Sequence, residues 1–226
     1  MKFYGGGGIK SLVCLNLNGE KDGLQTYWGK NGQKKYQSTY KDGKLDGLCT
    51  EWSDSGRKRS EDTYRDGDVV SSTEWYKNGR KKVERLFKDG GRVELGTKWY
   101  KNGEKKKEFM YTDDEDDGRW IWYYKNGRKK VERFYKDDES DGIWTWWDKN
   151  GEKTYESHYE DGIRILSKDY KVEPGFVIER TDSGSNVYRK TFKRTLYGNR
   201  LVKEETYDWG KLISTKYWNE DGTVKK

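Results

Sequence analysis

Proline and histidine are nearly missing from this chain: Pro174 and His158 stand alone in 226 residues. One proline excludes a proline-rich linker. The two cysteines, Cys14 and Cys49, have neither metal-site nor redox-pair spacing, which argues against a disulfide framework. No apolar run is long enough to span a bilayer. The opening MKFYGGGGIKSLVCL is broken by four glycines and lacks the apolar centre of a signal peptide. Leu12-Val13-Cys14 has the ending of a lipoprotein cleavage site without the apolar stretch that should precede it. The expectation is a soluble, cytoplasmic protein.

Hydrophobic residues are also scarce. They make up 31% of the chain against 38% charged, a balance usual in disordered proteins. Aromatic content points the other way: 11 Trp, 18 Tyr and 6 Phe are too many for a solvated coil, since each ring can bury about 150–250 Å². The 27 glycines indicate many tight turns. A net charge of +7 permits contact with nucleic acid, anionic lipid or an acidic protein and selects none of them.

The glycines recur with a period. Gly32, Gly56, Gly79, Gly103, Gly127 and Gly151 follow one another at intervals of 24, 23, 24, 24 and 24 residues. Their contexts are WGKNGQKK, WSDSGRKR, WYKNGRKK, WYKNGEKK, YYKNGRKK and WDKNGEKT. A second, acidic turn falls between them, as in YKDGKLDG (40–47), YTDDEDDG (111–118) and YKDDESDG (135–142). No 3.6-residue apolar period appears, and the turns leave about nine residues between them, a strand length. The prediction is all-β: an elongated single antiparallel sheet of tandem hairpin repeats of about 24 residues.

If Lys-Asn-Gly is a three-residue loop with its glycine left-handed, the pairing is fixed. Trp28, Trp52, Trp75, Trp99, Tyr123 and Trp147 then share a face with Tyr40, Tyr64, Phe87, Tyr111, Tyr135 and Tyr159. Thr26, Thr50, Thr73, Thr97 and Thr145 join them on that face. Residues 1–22 are expected to form an irregular cap, 23–162 six hairpin repeats, and 163–226 divergent terminal repeats or a cap. Residues 163–196 lose the period; Gly198 and Gly222, again 24 apart, restore it.

DGRWIWYYKNGRKKVERFYKDD (117–138) and DGIWTWWDKNGEKTYESHYEDG (141–162) resemble the MORN-repeat variant found in bacterial YwqK-type antitoxin-like proteins. The resemblance covers roughly residues 23–162, and more weakly 197–226. It implies an extended sheet of hairpins that neutralises a toxic protein by binding it, and it brings no catalytic residues. Other MORN proteins are associated with membrane lipids or scaffolding. The His-Gly-x-Gly turn of the standard MORN pattern is missing here.

Two surfaces are candidates for binding. The Asn-Gly turns carry cations, Lys77, Arg80, Lys81 and Lys82, then Lys101, Lys105 and Lys106, then Lys125, Arg128, Lys129 and Lys130. The opposite turns carry Asp113, Asp114, Glu115, Asp116 and Asp117, then Asp137, Asp138, Glu139 and Asp141. Like turns should recur every ~10 Å along a ribbon about 30 Å wide. One border is then basic and the other acidic. Lys77, Arg80, Lys81, Lys101, Lys105, Lys125, Arg128 and Lys129 form a candidate anion-binding edge, set against the plainer role of keeping the sheet soluble.

The second candidate is the other face. It is expected to hold Trp120, Trp122, Trp144 and Trp146 beside Tyr100, Tyr124, Met110 and Phe134. Tryptophans on a solvent-facing surface either lie under residues 163–196, folded back over them, or anchor a partner. Glu61, Glu84, Glu108, Glu132 and Glu156 are placed on this same face, pairing with Lys82, Lys106 and Lys130 across the strands rather than holding a metal.

The residues for chemistry are few. His158 occupies a repeat position held elsewhere by Thr39, Thr63, Leu86, Met110 and Phe134, so it reads as a packing variant. Neither cysteine has an activating partner. GGGG (5–8) lacks the lysine and hydroxyl of a phosphate loop. The expectation is no catalytic residues, no metal and no cofactor. The leading reading is a scaffold that binds another protein, a toxin or other client. The alternatives are a self-associating structural repeat, or a surface for anionic lipid or nucleic acid.

Overall fold

The computed structural model describes residues 1–88, 92–111, 118–170, 176–182, 188–197, 200–208 and 211–225. Among them every regular element is a strand. Two compact units divide the chain, Met1–Met110 and Tyr111–Lys226.

The first unit contains β1 (Lys2–Phe3), β2 (Ile9–Leu12), β3 (Gly23–Trp28), β4 (Lys34–Lys41), β5 (Lys44–Trp52), β6 (Lys58–Arg65), β7 (Asp68–Trp75), β8 (Lys81–Lys88), β9 (Arg92–Trp99) and β10 (Lys105–Tyr111). Each strand pairs antiparallel with the next in the chain. The second unit holds β11 (Gly118–Tyr123), β12 (Lys129–Lys136), β13 (Glu139–Trp147), β14 (Lys153–Glu160), β15 (Ile163–Asp169), β16 (Phe176–Asp182), β17 (Tyr188–Tyr197), β18 (Arg200–Asp208) and β19 (Lys211–Tyr217). They too pair successively and antiparallel. The described residues of 163–196 therefore form β15, β16 and most of β17, each paired with the strand before it, and extend the sheet beside β14.

The two borders use different turns. On the basic border a three-residue loop closes each hairpin: the Tyr124 N–H donates to the Arg128 carbonyl at 2.8 Å, and the Gly127 N–H to the Tyr124 carbonyl at 3.0 Å. Gly127, at φ +83°, takes the left-handed conformation that this loop requires. The same pair of bonds closes the turns beginning at Gly29, Ser53, Tyr76, Tyr100 and Asp148. It also closes the turn beginning at Tyr4, inside the segment expected to be irregular, and the one beginning at Asn219. On the acidic border several of the described turns need only two residues. Asp42-Gly43 and Asp161-Gly162 both have positive φ, the mirror-image turn whose twist suits a hairpin. Residues 113–117 of the acidic border lie outside the described residues.

One feature overturns the expected division of faces. Just inside each basic-border loop the return strand carries an extra residue. Tyr123 pairs with Lys129, but Trp122 pairs with Val131, leaving Lys130 unopposed. Equivalent shifts occur at Trp28, Trp52, Trp75, Trp99 and Trp147. Side chains alternate with period two, so one unopposed residue exchanges the faces of everything after it.

One face therefore carries the Trp28 series, the threonines and the glutamates, as in the cross-strand succession Thr50, Glu61, Thr73, Glu84, Thr97, Glu108. Tyr135 and Tyr159 lie on the opposite face with Trp120 and Trp144, not with Tyr123 and Trp147. Phe134 and Met110 move the other way, opposite Arg119 and Leu95 on the threonine face.

Candidate functional site

On the threonine face five successive hairpins, β5–β6 through β13–β14, repeat the same ion pair. Lys58–Glu61 lie at 2.5 Å, Lys81–Glu84 at 2.6 Å, Lys129–Glu132 at 3.0 Å and Lys153–Glu156 at 2.5 Å, with Lys105–Glu108 in the same arrangement. Residues three apart point to opposite sides of a regular strand; the unopposed residue between them brings both to one side. The glutamates thus pair within their own strand, and not with Lys82, Lys106 and Lys130. Lys82 pairs instead with Glu74 at 2.8 Å, while Lys106 and Lys130 lie over the rings of Tyr100 and Tyr124 at 5.9 and 5.8 Å.

Lysines at this repeat position, Lys34 of the first hairpin included, also reach the neighbouring hairpin. Lys34, Lys58, Lys81 and Lys129 sit over the rings of Trp52, Trp75, Trp99 and Trp147, at 5.8, 5.6, 5.6 and 5.5 Å. Burial works to raise the Glu132 carboxyl, but bonds from Arg119 and Lys129 leave it below the ordinary carboxylate range. Glu156 is lowered in the same way against burial, by Lys153 and Tyr170.

These contacts engage much of the basic edge. Lys81, Lys105 and Lys129 are ion-paired. Arg80 and Arg128 donate to the Asn102 and Asn150 carbonyls of the next turn. Lys77, Lys101 and Lys125 stand exposed at the loop tips. Asparagine side chains add a second clamp between turns, from Asn78 to the Lys101 carbonyl at 2.9 Å and from Asn126 to that of Lys149 at 2.8 Å. Tyrosines supply a third: Tyr76 donates to the Trp99 carbonyl and Tyr124 to the Trp147 carbonyl, each at 2.8 Å.

The opposite face of the second unit holds a continuous ring cluster. Trp120 meets Trp122 at 5.7 Å between centroids and Tyr135 at 5.6 Å. Tyr135 meets Trp144 at 5.2 Å, and Trp144 meets Trp146 at 6.1 Å and Tyr159 at 4.7 Å. Trp146 meets Tyr155 at 5.1 Å. Arg133 lies in the middle, 4.6 Å from the Trp144 centroid, 5.3 Å from that of Trp122 and 5.9 Å from that of Trp146. Trp144, buried at 8% exposure, donates its indole N–H to the Phe134 carbonyl at 2.8 Å. Trp120, Trp122 and Trp146 are only half-buried.

All four tryptophans singled out from the sequence are thus brought together. Tyr124 lies at the border of their unit, engaged with Trp147, and Tyr100 belongs to the first unit. Sequence reasoning missed Arg133, Tyr135, Tyr155 and Tyr159, because the unopposed residue was not foreseen. Arg133 had one visible signal, as a cation midway along the strand between the tryptophan-rich β11 and β13.

Fold and site together define a tandem β-hairpin repeat protein. Residues 21–42, 116–137 and 140–161 match the family model of the MORN repeat variant. Each match falls on one basic-border hairpin: β3–β4, β11–β12 or β13–β14. No curated protein matches the chain. Among solved structures, the crystal structure of TcdB2-TccC3-Cdc42 aligns over 94% of this chain and 16% of its own, at 13% identity and a TM-score of 0.26. That of TcdB2-TccC3 aligns over 95% and 16%, at 11% identity and a TM-score of 0.22. The chain thus spans about a sixth of the length of either.

Proposed function

We propose that this chain is a non-catalytic repeat scaffold that binds another protein through the ring face of β11–β14. The observation that carries the reading is the cluster of Trp120, Trp122, Trp146, Tyr135 and Tyr155 about Arg133. Its tryptophans are partly open to solvent while the backbone that follows runs alongside the cluster. Trp, Tyr and Arg are the side chains that dominate binding energy at protein interfaces. Trp144 is already packed by Tyr135, Trp146 and Tyr159 and leaves the contact to its more open neighbours. The exposed lysines at the loop tips would speed association with an acidic partner rather than set its affinity. Neutralising a toxic protein, as the resemblance implies, is one form of this capture.

The test compares the wild-type chain with the combined variant Trp120→Ser, Trp122→Ser, Trp146→Ser. Each is immobilised and exposed to nuclease-treated lysate of the native host, then washed at low and high salt. The expected result is one protein held by the wild type at high salt and lost by the variant, with its β circular dichroism unchanged. Equal retention by both chains removes the ring face from consideration. Retention only at low salt moves the site to the lysine tips.

A further inference from the structure

The second hairpin of the array, β5–β6, lacks two of the three clamps that join successive turns. Its loop reads Ser53-Asp54-Ser55-Gly56 where the third reads Tyr76-Lys77-Asn78-Gly79. Ser55 replaces the clamping asparagine, and Ser53 the clamping tyrosine. Only the arginine clamp remains, from Arg57 to the Lys77 carbonyl at 2.7 Å.

What the tyrosine does elsewhere is shown three times. Tyr4, Tyr76 and Tyr124 lay their rings against the next hairpin and donate to the carbonyls of Trp28, Trp99 and Trp147, at 2.6, 2.8 and 2.8 Å. A lysine covers the ring, as Lys10 does Tyr4 at 5.9 Å and Lys130 does Tyr124 at 5.8 Å. The corresponding acceptor for residue 53 is the Trp75 carbonyl. Between the two hairpins lies an open cleft of about 810 Å³, lined by Ser53, Ser60, Ser72, Trp75, Tyr76 and Arg59 among others.

Lack of the tyrosine does not by itself open a cleft. Gly29 holds the same repeat position in the first hairpin, yet its space is filled: a Cβ there would meet the Lys35 side chain at 2.9 Å and the Asn31 carboxamide oxygen at 2.8 Å. Lys35 continues on to pair with Asp54. In the second hairpin the residue equivalent to Lys35 is Arg59, which turns instead to Glu51 at 2.9 Å. Its guanidinium is left beside the opening, where the covering cation stands over Tyr4 and Tyr124.

We propose that this cleft docks a tyrosine side chain of another polypeptide, in the place that Tyr4, Tyr76 and Tyr124 take at their own junctions. The incoming ring lies between Arg59 and Tyr76, over Ser60 and Ser72, and its hydroxyl donates to the Trp75 carbonyl at the edge of the cleft. The three serines give the clearance that a larger side chain would remove. The site lies in the first unit and does not depend on the ring face of β11–β14.

The experiment titrates the ¹⁵N-labelled full chain with N-acetyl-L-tyrosinamide and follows backbone amide shifts. Saturable shifts are expected at Ser53, Ser55, Trp75 and Tyr76. N-acetyl-L-phenylalaninamide, without the hydroxyl, should bind about fivefold more weakly. N-acetyl-L-alaninamide should produce no shift at these residues. Ser53→Ala keeps the opening and should bind as the wild type does. Ser53→Tyr supplies the missing side chain from within; it should fold, melt at a higher temperature and no longer respond to the probe. The proposal is overturned by no response of these four amides in the wild type, by an equal response to the alanine compound, or by an equal response in Ser53→Tyr.

Discussion

Lys129 and Glu132 stand three residues apart on β12, yet they form an ion pair on one face at 3.0 Å. Lys130, left without a partner opposite, makes this possible. The two ways of changing Lys130 should therefore differ sharply. Lys130→Ala keeps the count of residues and loses only a cation over the Tyr124 ring, a change within about 0.5 kcal/mol. Deleting Lys130 turns Val131, Arg133 and Tyr135 away from Trp120, Trp122 and Trp144, and should cost several-fold more. Urea unfolding of the two variants measures the difference; similar midpoints would show that the unopposed residue does not set the faces.

Tyr124→Phe isolates the tyrosine clamp. It keeps the ring and removes the bond to the Trp147 carbonyl, so a loss of about 1 kcal/mol is expected. Tyr76→Phe should cost a similar amount. The reading is the shift in denaturant midpoint at constant slope. No change in either variant would show that the ring alone holds the junction, and would weaken the case for a hydroxyl-specific site at Ser53.

Asp137-Asp138 is a turn held in the less favourable chemistry. Asp138 has φ +62° where the equivalent turns have Gly43, Gly67 and Gly162. A side chain in the left-handed region is strained. Asp138→Gly should stabilise the protein by about 0.5–1 kcal/mol, despite the added freedom of glycine in the unfolded chain. A lower melting temperature would contradict this and assign the Asp138 side chain a role of its own.

Lys107 gives a pH dependence. Burial, helped by Lys98 paired opposite it, pushes its ammonium down to about 8 from the ordinary 10.5. The unfolded chain then holds more protons than the folded one between those values, so this group adds stability as pH rises through about 8. Lys107 should therefore raise the urea midpoint between about pH 7 and about pH 9.5, against an opposing fall from the Cys49 thiol, which burial pushes up. Lys107→Met should flatten that rise and be the more stable at neutral pH. The same rise in both chains would assign it to other groups.

Much of this was legible in the sequence because turn chemistry and period are local properties. Gly32 to Gly151 mark the hairpins, and the Lys-Asn-Gly loops have the predicted length. The threonines share a face with Trp28 and its equivalents, and the four clustered tryptophans were visible as such. What escaped was the parity of the return strands. Lys129 and Lys130 are chemically alike, so composition does not show which one lies opposite a partner and which does not. The clue was the recurring Lys-x-x-Glu of Lys58–Glu61 through Lys153–Glu156, a spacing that a regular strand cannot place on one face. The cleft at Ser53 was equally visible as a departure from Tyr-Lys-Asn-Gly, but its meaning needed the bond that Tyr76 and Tyr124 make.

The unopposed residue also bears on how such a gene can change length. Each hairpin carries its own correction, so duplicating or losing a whole unit leaves the faces of its neighbours intact. Loss of a single codon within β12 does not. Inheritance of this fold is therefore quantised: descendants can differ by entire repeats with little penalty, while the smallest in-frame lesions in a return strand are the ones selection must remove.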